Sequence, residues 1–450
     1  MQRLVGHRWF RSAFLATSLT LILAGDAVRL SAGWWVFGAL AILACTAAVL
    51  LLVATRWRWR WSDLPYPLVA FLALAAASLT WSHYPGVTAV GLLTMLMGTL
   101  VALAIAAGFS WRQFARVFDH VLRWVIGLSL LFELFVAVVL RRGLLPLMPQ
   151  PGVNAADFEL IPSMLYWSTG SLLAGGRIQG IVGNSNNLAI LALFALIVIA
   201  VRLADGATRR AWALAWLVLA GAVLLLADSA TVTIALVAVV LIALSVLALR
   251  HATSERTPVV ASGVIAVVVA AVVTAGVIGR EWIFDLLGRS DDLTGRIGIW
   301  ESVVELAAQR PTAGWGWAGF WMPWADPFDT LAFVQGVRQL QAHNAWIDLW
   351  LQLGIIGVVF FAVLVLRTLT RAWWLAVDQP HTHGRLATAR TGVAMLPLLL
   401  LVALLVQSAT ESRLLTEFGW ILLVLIAAKT KAPSAAARAE HAAAVRVSER

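Results

Sequence analysis

The chain is poor in charge. Only 12% of its 450 residues are Asp, Glu, Lys or Arg, against 61% hydrophobic, and the mean hydropathy is +0.87. A soluble domain carries about 25% charged residues, so this composition excludes an ordinary globular fold and points to a polytopic membrane protein. The single cysteine, Cys45, excludes an intrachain disulfide and a cysteine-based metal cluster. Also absent are the G-x-x-x-x-G-K-[ST] and G-x-G-x-x-G phosphate cradles and the H-E-x-x-H and G-x-S-x-G motifs. No convincing small-residue cleavage site follows the first apolar run, which therefore reads as a retained span. A net charge of +10 would point to nucleic acid in a soluble chain. Here the arginines gather between apolar runs, as cytoplasmic loops do, and no nucleic-acid partner is expected.

What the chain does have is apolar runs of spanning length. They fall near 12–30, 34–55, 66–82, 87–108, 119–140, 185–203, 210–227, 229–249, 258–279, 344–367, 391–409 and 413–428, which predicts about twelve transmembrane helices. Basic residues cluster in alternate loops: Arg56, Arg58 and Arg60; Arg112, Arg116 and Arg123; Arg202, Arg209 and Arg210; Arg367, Arg371, Arg385 and Arg390. That alternation predicts both termini in the cytoplasm and the long segments outside. Tryptophans collect at run ends, as in Trp34-Trp35 and Trp373-Trp374, where an amphipathic ring sits at headgroup level.

The expected organisation is nine spans over 1–279 with an outside segment at 141–184, a large extracytoplasmic loop at 280–343, three spans over 344–428 and a cytoplasmic tail at 429–450. Long connections of this kind are functional or disordered, and the Trp, Phe and Leu in both argue against disorder. Within the loop, Ile297, Trp300, Val304 and Ala307 recur at helical spacing, predicting a surface amphipathic helix over 295–309. Asp292 or Thr294 would cap it, and Pro311 and Gly314 would end it.

Few side chains are equipped for chemistry. Arg296 sits in the first turn of that helix, where free amides and the positive dipole end already favour an anion and a guanidinium adds a bidentate fork. The blander alternative is an arginine reaching for lipid headgroups. Arg177 follows Gly175-Gly176 and precedes Gly183-Asn184-Ser185-Asn186-Asn187; glycines allow close approach to a ligand, and Asn184 or Ser185 caps the next helix. Read by itself, Arg177 is more readily a solvated arginine in a turn. His343, beside Asn344 at the start of a span, lies where the helix dipole disfavours an imidazolium, which suits a general base; a capping histidine is the alternative. His381 and His383, two residues apart in an expected cytoplasmic loop, read as solvated loop residues rather than as a metal site. Glu133 lies within a span, where an ionisable group is a candidate functional residue or one half of a packing ion pair.

In order along the chain, TWSHYP (80–85), GGRIQGIVGNSNNLA (175–189), LADSATVTIAL (226–236), TGRIGIWESVVELAAQRPTAGWGWAGF (294–320), AHNAWIDLWLQLGIIGVVFF (342–361) and SATES (408–412) resemble the O-antigen ligase and O-antigen polymerase superfamily of bacterial membrane glycosyltransferases. The likeness covers the second half of the chain well and the first half weakly. It implies an all-α, GT-C-like membrane fold in the cytoplasmic (inner) membrane. The implied activity is transfer of a glycan, without a metal or other cofactor and with inversion, from an undecaprenyl-pyrophosphate carrier to a glycan or glycolipid acceptor. By motif position, Arg177 and Arg296 would engage the pyrophosphate and His343 would activate the acceptor, with Asn344, Glu411, Arg338 and Asn184 in support. Asp228-Ser229-Ala230-Thr231 departs from the Ser-Arg pair common in relatives, and Arg338 is the speculative substitute. A polysaccharide polymerase shares these motifs. A transporter or flippase of lipid-linked sugars is the alternative of another class, disfavoured by the lack of an internal repeat and by polar candidates gathered at one face.

Overall fold

The computed structural model describes residues 8–54, 61–250, 291–377 and 392–431. The expected span at 258–279, the first part of the loop from 280, His381, His383 and most of the tail lie outside the described residues, as do the side chains of Asp292 and Thr294.

The helices run in chain order α1 (Arg8–Ala32), α2 (Trp34–Ala54), α3 (Tyr66–Ala77), α4 (Pro85–Gly108), α5 (Trp111–Phe135, continuing as a wider π turn, Val136–Leu140), α6 (Ser185–Ala204), α7 (Arg210–Ala227), α8 (Ala230–Arg250), α9 (Asp291–Gln309), α10 (Ala345–Val377), α11 (Leu396–Gln407) and α12 (Glu417–Lys431). The described β structure is one two-stranded hairpin, β1 (Phe333–Val334) with β2 (Val337–Arg338). Eight of the described helices are long and apolar enough to cross a membrane: α1, α2, α4, α5 with its π turn, α6, α7, α8 and α10. Tyr66–Thr80 and Gly392–Gln407 form shorter apolar helices. The protein is an all-α polytopic integral membrane protein.

Two boundaries differ from the sequence expectation for identifiable reasons. Helix α5 starts at Trp111 because Ser110 and Gln113 form a capping box, each side chain bonding the other's backbone N–H. Helix α12 starts at Glu417, four residues late, because Ser412–Leu415 closes into a tight 3₁₀ turn after α11.

Helix α6 sits at the centre, with Leu188 to Ala195 wholly buried among α5, α7 and α11. Helix α2 faces outward instead, with Trp35, Ile42, Leu43 and Val53 all exposed. Exposed apolar residues on α8 (Val237, Leu241, Leu244) and on α10 (Ile355, Val359, Leu366) continue this belt, an arrangement stable in hydrocarbon and costly in water. At one end of the bundle basic side chains bind helix ends: Lys429 donates to the carbonyls of Ala106 and Phe109, and Arg250 to that of Ala376.

At the opposite end lie two docked segments. Residues 291–343 form a cap with a core of its own, in which Ile299, Val303 and Ala307 of α9 pack with Trp321, Phe328, Tyr84 and Leu351. The buried stripe is thus 299/303/307. Of the stripe expected from sequence, Ile297 and Val304 are exposed, and the helix is packed into a fold rather than laid flat on a surface.

The cap is locked at Gly354, where α10 is broken (φ 64°). The 311–316 turn enters this break: Ile355 and Ile356 donate to the carbonyls of Pro311 and Thr312, and Trp315 and Gly316 donate to those of Leu351 and Gln352. A Cβ on Gly354 would collide with the backbone of Thr312, so only glycine admits the turn. Buried Gln352 and Asp348 finish the joint. The Gln352 Oε1 accepts from the Ala318 and Gly319 amides, and Asp348 accepts from the Trp321 indole.

Candidate functional site

Three polar elements converge at this end: the 175–187 turn leading into α6, the cap from α9 to the start of α10, and the turn between α11 and α12. Glu411, on the last of these, is 3% exposed. Its Oε1 accepts from the Arg296 guanidinium at 2.9 Å and from Asn186 Nδ2 at 3.0 Å. Its Oε2 lies 3.2 Å from His343 Nδ1 and 3.4 Å from Gln341 Nε2. Asn186 passes the connection on, its Oδ1 accepting from Arg177 at 2.9 Å. One carboxylate and one amide therefore link Arg177, Arg296 and His343.

Local structure explains how each group arrives there. Asn184 caps α6 by accepting from the Asn187 amide, which fixes Asn186 in the helix's first turn. The Arg177 strand is pinned to the α7–α8 turn by Arg177 Nε to the Ala227 carbonyl and Ile178 N–H to the Leu226 carbonyl. Asn344 caps α10, its Oδ1 accepting from the Trp346 and Ile347 amides, and His343 precedes it in a left-handed conformation (φ 50°). The α11 end is tied to α10 through Ala345 N–H to the Ser408 carbonyl and Trp346 Nε1 to Ser408 Oγ.

Burial alone would push the Glu411 carboxyl up. The contact with His343 and the positive charges of Arg296 and Arg413 overcome it and hold the group at about 2. Glu411 is thus an anion at any physiological pH. His343 Nε2 faces Gln339 Oε1 at 3.2 Å. In the tautomer that donates Nδ1–H to the Glu411 carboxylate, Nε2 carries the lone pair, and the Gln339 side-chain amide stands in its approach. From sequence, the positive end of the helix dipole is the only charge placed at His343; the structure sets a carboxylate against it.

Of the seven residues singled out from sequence, Arg296, His343 and Glu411 meet directly and Arg177 joins through Asn186. Asn184 and Asn344 spend their side-chain oxygens on helix caps. Arg338 is turned elsewhere: its Nε donates to the Asp329 carbonyl and its guanidinium lies over Phe333, 5.5 Å from the ring centroid. Sequence reasoning missed Asn186, Gln339 and Gln341. The polar run Asn184 to Asn187 at the mouth of an apolar helix is the signal that was available. It also left Glu133 without a role. That side chain is fully buried in α5 and meets backbone amides rather than an arginine.

A second cluster borders the first. Arg29 pairs with Asp26 and with Glu417 (2.5 Å), Arg413 pairs with Glu417, and Arg413 and Asp26 are 3.7 Å apart. Three of these charges, Asp26, Arg29 and Glu417, are among the residues that line a mostly apolar cavity of about 210 Å³ between α1, α2, α4 and α12.

A membrane-embedded helical bundle that holds a guanidinium and an imidazole on one buried carboxylate, with a second guanidinium joined through Asn186 under a folded cap, is equipped to grip an anion and move a proton. Residues 213–362, about a third of the chain, match the family model described as O-Antigen ligase, so this part of the chain is similar to that family. The match takes in Arg296 and His343, while Arg177, Asn186 and Glu411 fall outside it. A search of curated proteins finds no match to the chain.

Proposed function

We propose that the protein is a glycosyltransferase that moves a glycan from an undecaprenyl-pyrophosphate carrier to an acceptor hydroxyl. It works at the outer face of the cytoplasmic membrane, with inversion at the anomeric carbon and without a metal. The observation that carries this reading is the convergence of Arg177, Arg296 and His343 on the Asn186–Glu411 pair. Arg177 and Arg296 engage the pyrophosphate oxygens. Each guanidinium has five donors, so one nitrogen can stay on its protein partner while others meet phosphate. As the glycosidic C–O bond breaks, charge grows on the departing pyrophosphate and the arginines stabilise it. His343 takes the proton of the acceptor hydroxyl as that oxygen bonds the anomeric carbon from the opposite face. Glu411 keeps the imidazole oriented and offsets the positive charge around it.

The topology that goes with this function is GT-C-like. It has about twelve spans including 258–279, both termini cytoplasmic, 141–184 and 280–343 outside, 344–428 returning to the membrane and 429–450 inside. It is supported by the basic side chains at the end of the bundle remote from the site. Ligase and polymerase differ in the acceptor, a glycolipid or a growing glycan, and share this chemistry.

The test is transfer by the purified protein from a lipid-pyrophosphate glycan to candidate acceptors. His343→Ala abolishes transfer while donor binding survives, and Arg177→Ala and Arg296→Ala weaken donor binding or turnover. Normal transfer by all three variants overturns the assignment. Chemical analysis of the glycan lost from a deletion strain names the acceptor.

A further inference from the structure

Glu133 is wholly buried in α5, one turn before that helix widens into its π turn, and the reaction outlined above gives it no part. Its Oε1 accepts from two successive backbone amides, Gln179 N–H at 2.9 Å and Gly180 N–H at 2.6 Å. Its Oε2 accepts from Ser168 Oγ at 2.7 Å, and Ser168 Oγ in turn accepts from the Gly170 amide. One turn back on the same helix face, Ser129 Oγ accepts from Ile181 N–H at 3.2 Å. A carboxylate inside an apolar helix is thus spent on unpaired amides of the turn that begins two residues after Arg177. Gly180 takes φ 61°, and a Cβ there would lie 2.6 Å from Ser129 Oγ, so the backbone is pressed against α5.

We infer that Glu133 is a positioning residue for Arg177, its carboxylate clamping the 168–181 segment to α5 so that the guanidinium is presented to the anionic part of the donor. This rests on reading Arg177 as a donor contact. A buried amide that loses its only acceptor is costly, so an oxygen that serves two such amides makes the clamp stiff. The tether reaches Arg177 through two residues of backbone, whereas Asn186 fixes its far end.

The experiment compares Glu133→Ala, Glu133→Gln and Asp119→Asn in the full-length purified protein, by amide hydrogen exchange and by donor-dependent transfer kinetics. Asp119 is equally buried in the same helix but pairs with Arg123 and Arg202 near its opposite end, so it controls for general loosening. Glu133→Ala should speed exchange at Gln179, Gly180 and Ile181 roughly tenfold or more and raise the donor KM by a similar factor, with a smaller change in kcat. Glu133→Gln keeps a carbonyl oxygen for both amides and should stay within about threefold of wild type. Asp119→Asn should leave exchange in this segment unchanged.

If Glu133→Ala does not fold, Ser168→Ala removes the Oε2 arm of the clamp and should give the same pattern at smaller size. Unchanged exchange at 179–181 overturns the clamp, and an equal rise in donor KM for Asp119→Asn overturns the positioning role. A wild-type donor KM for Arg177→Ala removes the donor reading and with it the positioning role, while the exchange data still decide whether Glu133 holds the segment.

Discussion

Asn186 and Glu411 stand 225 residues apart in the chain and 3.0 Å apart in the fold, the amide of one donating to the carboxylate of the other. Because Asn186 accepts from Arg177 with its other atom, it joins the 175–187 turn to the charge centre beneath the cap. Replacing it by alanine should lower kcat/KM for transfer roughly ten- to hundredfold, the worth of a hydrogen bond to a charged group. Asn186→Asp should be worse than alanine, because it sets an oxygen against Glu411 where an N–H₂ now donates. Steady-state transfer assays decide this, and an aspartate variant as active as wild type would refute the bridge.

Glu411 predicts a pH dependence with a definite sign. Its carboxyl is held at about 2 in the fold, against an ordinary value of 4.5. The carboxylate therefore contributes stability that is fully present above about pH 4.5 and drains away as pH falls towards 2. The contribution is on the order of 3 kcal/mol. Thermal unfolding in detergent, followed from pH 6 downwards, should show this slope, and Glu411→Gln should flatten it while being less stable at neutral pH. Identical slopes in the two proteins would show that Glu411 is not the group responsible.

Glu411→Gln also tests the site at neutral pH. Glutamine is close in shape but removes the charge that Arg296 and His343 share. Donor binding should survive, while turnover falls at least tenfold because His343 loses its oriented partner. Retention of full turnover would assign Glu411 to packing alone.

Gly354→Ala should unfold the joint between α10 and the cap. A left-handed φ and a collision with the Thr312 backbone together cost roughly 3 kcal/mol or more. The matched control is Gly38→Ala, in the exposed helix α2, where an added methyl meets nothing within 4 Å and alanine favours the helix. A fall in melting temperature for the first and none for the second is the expected result. Equal behaviour of the pair would mean that the 311–316 turn does not depend on the break.

The helices were legible because they are a local property, and eight of those described are long and apolar enough to cross a membrane. A run of about 20 apolar residues meets the bilayer requirement wherever it falls in the chain, and at every expected span within the described residues there is a helix. Arg296 and His343 were singled out because their neighbours predicted helix starts there; His343 does precede α10, whereas α9 already begins at Asp291 and carries Arg296 in its second turn. The face that α9 buries was not, since Ile297/Val304 and Ile299/Val303 are competing stripes and the choice belongs to what the cap packs against. The late start of α12 was hidden for a similar reason: Leu414 and Leu415 adjoin the apolar residues that follow whether or not the backbone tightens there.

By itself the amino-acid order determined that the chain enters the membrane, where it turns, and which few ionisable side chains stand at the turns. Folding alone decided which of them meet. Asn186, Glu411, Arg296 and His343 come from four separate stretches, and their hydrogen bonds exist only once helix packing has brought those stretches within 3–4 Å. Glu133 shows the same division: composition marks it as an anomalous carboxylate in hydrocarbon, but only the tertiary fold reveals that its partners are backbone amides, which leave no trace in the sequence.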